Sequence, residues 1–215
     1  MAPLRVAVLV SGTGSTLSDL AEDAPGVGAR IVLVVADRPG IRALSVAAAH
    51  RIPTVVVPLR GIAASVVQRT LDASLRAAGA ELVVLAGLRT ILPAEWLSGW
   101  SGRVVNVHPA LLPRHGGRGQ FGTRVYESIL ASGDVESGAT VHLVTADVDA
   151  GPTLLQERFP VLTGSTVEQL RTRTQALERR LLREGLARFS DGRWPLPYGP
   201  SPDRRVAGGG TTDRS

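Results

Sequence analysis

The 215-residue sequence has no cysteine, so it offers no disulfide framework, no thiolate metal site and no cysteine nucleophile. A reducing, cytoplasmic setting fits that absence. It also has no lysine: all 24 basic residues are arginine, spread along the chain among 19 acidic residues. The net charge of +5 therefore reads as a compositional bias rather than a nucleic-acid footprint. No segment approaches the roughly 20 apolar residues of a membrane span. The apolar stretch after Met1 breaks into Gly and Ser too soon for a secretion signal. HxH, HExxH and GxSxG are missing as well, which removes the usual spacing signatures of a zinc site and of a serine-nucleophile elbow. The expected protein is cytoplasmic and metal-free, with neither nucleic acid nor membrane as partner.

What is present is 44% hydrophobic, enough for one substantial core. Strand-like runs recur at residues 4–11, 30–37, 54–58, 81–87, 103–108, 139–145 and 153–159. The first five are almost continuously apolar, as in strands buried on both faces of a parallel sheet. Helical patterns fall between them. Residues 41–50 form a short Ala-rich segment, and 62–78 place Ile62, Val66, Leu71 and Leu75 near one stripe. Residues 166–190 follow, with Thr166 as N-cap and Val167, Leu170, Leu177 and Leu181 on the apolar side. Strand and helix alternating at this spacing predict right-handed βαβ units. The expected class is α/β, a single-domain Rossmann-like fold with a mostly parallel, doubly wound sheet over residues 1–194. From 195 to 215, Pro, Gly and polar residues without periodicity predict a disordered tail.

Two stretches carry chemistry. SGTGST, residues 11–16, follows the first strand and precedes a helix expected to begin near Leu17. Its glycines permit a tight turn, and the N–H groups of a helix start hold phosphates well. Gly12 and Gly14 also match two glycines of a GxGxxG dinucleotide fingerprint, and Asp37 stands where a ribose-binding acid belongs. An NAD(P)-dependent oxidoreductase is thus an alternative, weakened because the third glycine is Leu17.

The second stretch is VVNVHPALLP, residues 104–113. In an extended chain Asn106 and His108 project on one face while Val105 and Val107 pack on the other. Open α/β sheets bind ligands at the carboxyl ends of strands, and Pro109 and Pro113 stiffen the loop that follows. TADVDAGP, residues 145–152, can return Asp147 and Asp149 to the same end. A carboxylate beside an imidazole favours and orients the imidazolium, and an amide adds a neutral donor to the same oxygen. That combination suits a general acid or an oxyanion-stabilising site. A metal held by His108, His115, His142, Asp147 or Asp149 lacks ligand spacing, and His50 and His142 read as structural histidines.

SGTGSTL, VVLAGLRTILP, NVHPALLP and ATVHLVTADVDAGP, in this order and at this spacing, resemble the phosphoribosylglycinamide formyltransferase family over residues 5–193. The resemblance implies the formyltransferase fold, 10-formyltetrahydrofolate as formyl donor, a small-molecule acceptor in purine synthesis and no metal, in a monomer or homodimer. By position it assigns catalysis to Asn106, His108 and Asp149. It assigns the phosphoribosyl substrate to Gly12, Thr13, Gly14, Ser15, Thr16, Pro109, Gln175 and Glu178. It assigns the folate to Arg89, Thr90, Ile91, Leu92, Thr145 and Asp147. Thr16 stands where the family usually has Asn, Thr90 and Ala64 stand where arginines meet the folate glutamate, and loop 114–124 carries extra residues. These departures leave a different amine, as in secondary metabolism, as the alternative acceptor.

Overall fold

A computed structural model describes residues 2–195. The expected tail lies outside the described residues apart from Pro195. The chain runs β1 (Leu4–Val10), α1 (Ser15–Asp23), β2 (Ala29–Ala36), α2 (Arg42–Ala49), β3 (Thr54–Val56), α3 (Ala64–Ala77), β4 (Leu82–Ala86), α4 (Ala94–Gly99), β5 (Val104–His108), α5 (Thr123–Ser132), β6 (Glu136–Leu143), β7 (Thr153–Pro160) and α6 (Val167–Ser190). Spatial order in the sheet is β3-β2-β1-β4-β5-β6-β7. The first five strands are parallel, whereas β6 runs antiparallel to both β5 and β7. The expected mostly parallel, doubly wound α/β sheet is the observed one.

The alternation of side chains across each strand splits the core into two layers. Val6, Val8 and Val10 of β1, with Val105 and Val107 of β5, pack against Leu17 of α1 and Leu181 and Leu186 of α6. Ala7 and Leu9, with Val104, face Leu71 and Leu75 of α3 and Trp96 of α4. Each fully buried Val or Leu contributes roughly 1.5–3 kcal/mol, so a register slip in β5 would exchange a buried valine set for Asn106 and His108.

Several boundaries differ from expectation. Helix α1 starts at Ser15, two residues before Leu17, and β3 has three residues at the sheet edge. On α3 the buried stripe is Val67, Leu71 and Leu75, while Ile62 and Val66 are exposed. Ile62 precedes the helix, and Val66 sits one position, about 100° around the axis, from the stripe. Helix α6 has the expected Thr166 cap. Its hydroxyl accepts from the Gln169 N–H at 3.3 Å while the Gln169 side chain accepts from the Thr166 N–H at 2.9 Å, a reciprocal capping box. From the outer side of α6, the Arg179 guanidinium grips Asp19, Glu22 and Asp23 of α1 at 2.9, 3.1 and 2.9 Å.

The topology places the crevice. From β1 the chain winds outward through β2 to β3, then returns to lay β4 on the other side of β1. The loops leaving β1 and β4 therefore diverge, and a cleft opens at their carboxyl ends.

Candidate active site

A cavity of about 650 Å³ occupies that cleft. Its walls include Thr16, Arg89, Thr90, Ile91, Leu92, Asn106, His108, Pro109, Thr145, Asp149, Gln175 and Glu178, so the structure gathers most of the expected site residues in one place. Gly12, Thr13, Gly14 and Ser15 line an adjoining cavity of about 410 Å³, which shares Thr16 and Arg89 with the first. Asp147 is the exception. The β6–β7 turn directs Ala146, Val148 and Asp149 into the cleft, while Asp147 is exposed outside its walls and its carbonyl accepts from the Thr145 hydroxyl at 3.1 Å.

The smaller cavity is an anion-friendly pocket. The N-cap of helix α1 is Gly14, whose φ of 80° is left-handed, and no side chain caps the first N–H groups of the helix. A Cβ on Gly14 would lie 2.8 Å from the Ala43 backbone, so both the conformation and the close approach of α2 require glycine. Arg38, Arg42 and Arg89 line the pocket with no acidic residue among its walls. Asp37 does not present itself to a ribose. Its Oδ2 accepts from the Ser11 hydroxyl at 2.7 Å, Arg38 lies at 3.4 Å, and its side chain is only 6% exposed. The carboxylate thus ties the β1 and β2 loops together, and Leu17, the missing third glycine, is fully buried. The dinucleotide reading loses its ribose ligand on these grounds.

In the larger cavity, Asn106 and His108 share a face of β5 as the strand period requires, with Asn106 half-buried and His108 buried. His142 joins them. Antiparallel pairing sets His142 of β6 directly across from Asn106, and the two side chains meet at 3.1 Å. The His142 Nδ1–H donates to the Leu143 carbonyl at 3.0 Å, and burial lowers the pKa of the ring below its ordinary value. The ring is therefore neutral with a lone pair on Nε2, which accepts from the Asn106 amide. This contact settles which end of Asn106 points where. One Nδ2 hydrogen is committed to His142 and the other is left for a ligand.

His108 is fixed from its other side. Its Nε2–H donates to the His115 carbonyl at 2.8 Å, which leaves Nδ1 facing Asp149 Oδ2 at 3.6 Å. Asp149 has a φ of 56°, left-handed for a residue with a side chain, and is held there by the Gly117 N–H at 2.9 Å. Its other oxygen lies 3.7 Å from His142 Nε2, beyond hydrogen-bond range. Thr140, paired with His108 across the strands, accepts from the Leu112 N–H and donates to the Ala110 carbonyl at 3.1 and 2.7 Å, which anchors the loop through Pro109 and the cis Leu112–Pro113 bond.

On the α6 wall, burial pushes the Glu178 carboxyl up to about 8. Burial, with Glu178 nearby, also raises Tyr126 on α5. Leu85, Leu92, Leu97 and Val144 form an apolar slot beside the Asn106 and His108 pair. Sequence reasoning missed His142, Tyr126 and the wall made by residues 117–123. The register opposite Asn106 is the signal for His142. Among the described residues, no His, Cys, Asp and Glu group is arranged to hold a metal, and no helix is long and apolar enough to cross a membrane.

Comparison with known proteins agrees with this geometry. A family described as formyl transferase matches residues 4–186. A phosphoribosylglycinamide formyltransferase of Mycobacterium tuberculosis is 42% identical over 186 residues, covering 84% of this chain and 82% of that protein. The trifunctional purine biosynthetic protein adenosine-3 of Drosophila melanogaster is 36% identical over 193 residues. This chain spans only 14% of that relative's length. The solved phosphoribosylglycinamide formyltransferase of Coxiella burnetii superposes with a TM-score of 0.82 at 35% identity, covering 89% of each chain. A chain matched over nearly its whole described length, with an amide, an imidazole and a carboxylate meeting beside an uncapped helix start, belongs to the formyl transferase family.

Proposed function

We propose that this chain is a cytoplasmic enzyme that moves a formyl group from 10-formyltetrahydrofolate to the amine of 5'-phosphoribosylglycinamide. The observation that carries the reading is the meeting of Asn106, His108 and Asp149 at the end of β5, beside an apolar slot and an adjoining anion pocket. The slot suits a flat folate ring, walled by Leu85, Leu92, Leu97 and Val144 and continued by Thr90, Ile91 and Thr145. The α1 start suits a phosphate, with Gly12 to Thr16 around it. Gln175 and Glu178 line the same cavity as Asn106 and His108, where a ribose hydroxyl would reach them; a protonated Glu178 offers a donor as well as an acceptor.

The substrate amine attacks the formyl carbon, forming a C–N bond and a tetrahedral oxyanion. The free Nδ2 hydrogen of Asn106 and the protonated Nδ1 edge of His108 donate to that oxygen. Asp149 faces His108 Nδ1 and takes up, through water, the proton that the attacking nitrogen sheds. The bond from the formyl carbon to the folate nitrogen then breaks, and the proton that Asp149 took up passes back through water to that nitrogen as tetrahydrofolate leaves.

Formyl transfer from 10-formyltetrahydrofolate to 5'-phosphoribosylglycinamide tests the proposal. Activity should fall in His108→Ala and depend on the acceptor's phosphate. Transfer to a different amine, with none to the phosphorylated glycinamide, would assign the site to another acceptor. That outcome is the one favoured by the altered loop, whose Arg118 and Phe121 line the cleft.

A further inference from the structure

The Nε2–H of His108 is spent on the His115 carbonyl, so the orientation of that carbonyl decides which ring nitrogen faces Asp149 and the cleft. His115 has a φ of 54°, a conformation that a residue with a side chain holds only when its surroundings fix it. The fixing groups are its own ring contacts. His115 Nε2 lies 2.7 Å from Asp134 Oδ2, and Nδ1 lies 2.9 Å from the Ser128 hydroxyl. Asp134 is nearly buried and also pairs with Arg114, and the hydrogen bond with His115 lowers its carboxyl below the usual range. None of His115, Ser128 and Asp134 lines either cavity, so the set touches no substrate.

Resting on the function proposed above, we infer that His115 is a positioning residue, anchored by Asp134 and Ser128, that sets the tautomer and ring orientation of His108. The sequence of contacts is continuous: Asp134 holds the His115 ring, the ring holds a left-handed turn, the turn aims a carbonyl, and the carbonyl holds the His108 proton on Nε2. With Nε2 occupied, proton exchange with the reacting atoms is confined to Nδ1.

Long-range proton–nitrogen correlation spectra of the full chain, labelled with ¹⁵N-histidine, read the tautomer of neutral His108 directly. The wild type should show the Nε2–H form. In Asp134→Asn and in His115→Phe, His108 should move to a mixture of tautomers. In the same variants kcat should fall by between about ten- and a hundredfold, with KM for both substrates within about twofold. Asp134→Glu should recover part of the loss, and Ser128→Ala, which removes one contact only, should give a smaller one. Each variant's fold is checked by its thermal melt. The inference is overturned if His108 stays in the Nε2–H form in both strong variants, or if the loss appears in KM. Because the spectrum needs no turnover, a wild type inactive in formyl transfer would sink the proposed function while the tautomer result still decides the role of His115.

Discussion

Replacing Asn106 by aspartate changes one heavy atom at almost constant volume and inverts the chemistry of its contact with His142. The amide now donates to the Nε2 lone pair at 3.1 Å; a carboxylate oxygen in its place would oppose one acceptor with another. The oxyanion-forming site would also lose a donor and gain a negative charge. A lost oxyanion donor costs about 3 kcal/mol, and two unit charges about 4 Å apart repel by about 4 kcal/mol at an effective dielectric of about 20. The two overlap, so the expected loss lies between about 4 and 7 kcal/mol, or roughly 10³ to 10⁵ in rate. The variant can relieve the ground state by protonating His142, so the titration of this ring, now held low by burial, should move up. Steady-state formyl transfer at saturating donor and acceptor measures the first effect, and an NMR titration of His142 measures the second. Activity within tenfold of wild type, or a His142 transition that does not move, would refute the assigned orientation of Asn106.

The folded state disfavours protonating His142, so the stability that its neutral ring supports is complete above pH 6.5 and declines as pH falls further toward the depressed folded value. Urea melts between pH 7.5 and 5 should show the decline, and His142→Gln should flatten it. Glu178 has the opposite sense: with its carboxyl raised from 4.5 to about 8, ionisation costs stability progressively over that interval and fully above it. Glu178→Gln should therefore stabilise the fold at pH 8.5, by on the order of 1–2 kcal/mol after allowance for partial exposure, and leave it unchanged at pH 4. Equal melts at pH 8.5 would contradict that. Thr166→Ala removes the capping box, with an expected loss of about 1 kcal/mol and 2–4 °C in Tm at unchanged kcat. A change in turnover would mean that the start of α6 matters to the site.

The parallel sheet was legible because buried parallel strands are written as unbroken apolar runs, and Asn106 and His108 were legible because a strand's period is two. Asp149 was readable as a carboxylate returning to the strand ends. What local pattern does not contain is register. His142 belongs to the site only because β6 pairs antiparallel with β5, and nothing within residues 139–145 says which residue lies opposite. Asp37 illustrates the same gap from the other side, since its position fits a ribose ligand until the Ser11 hydroxyl is found against it. The stripe on α3 failed by one residue because the helix start was placed two residues early. Helix α4 has six residues, too few for a period to show, and α5 follows a glycine-rich loop that masked its Val125, Tyr126 and Ile129 face.

The Arg179 clasp has a bearing on which molecules fit. Helix α1 contributes its start to the anion pocket, α6 contributes Gln175 and Glu178 to the adjoining larger cavity, and one guanidinium pins the two helices together outside both cavities. The arrangement works as a caliper whose setting screw is on its back. Under the function proposed above, the gap between its jaws would set the distance from an anionic group to a hydroxyl. Since the Arg179 side chain is 40% exposed and Arg38 at the anion pocket 52%, dissolved salt weakens the setting screw and the grip of one jaw together.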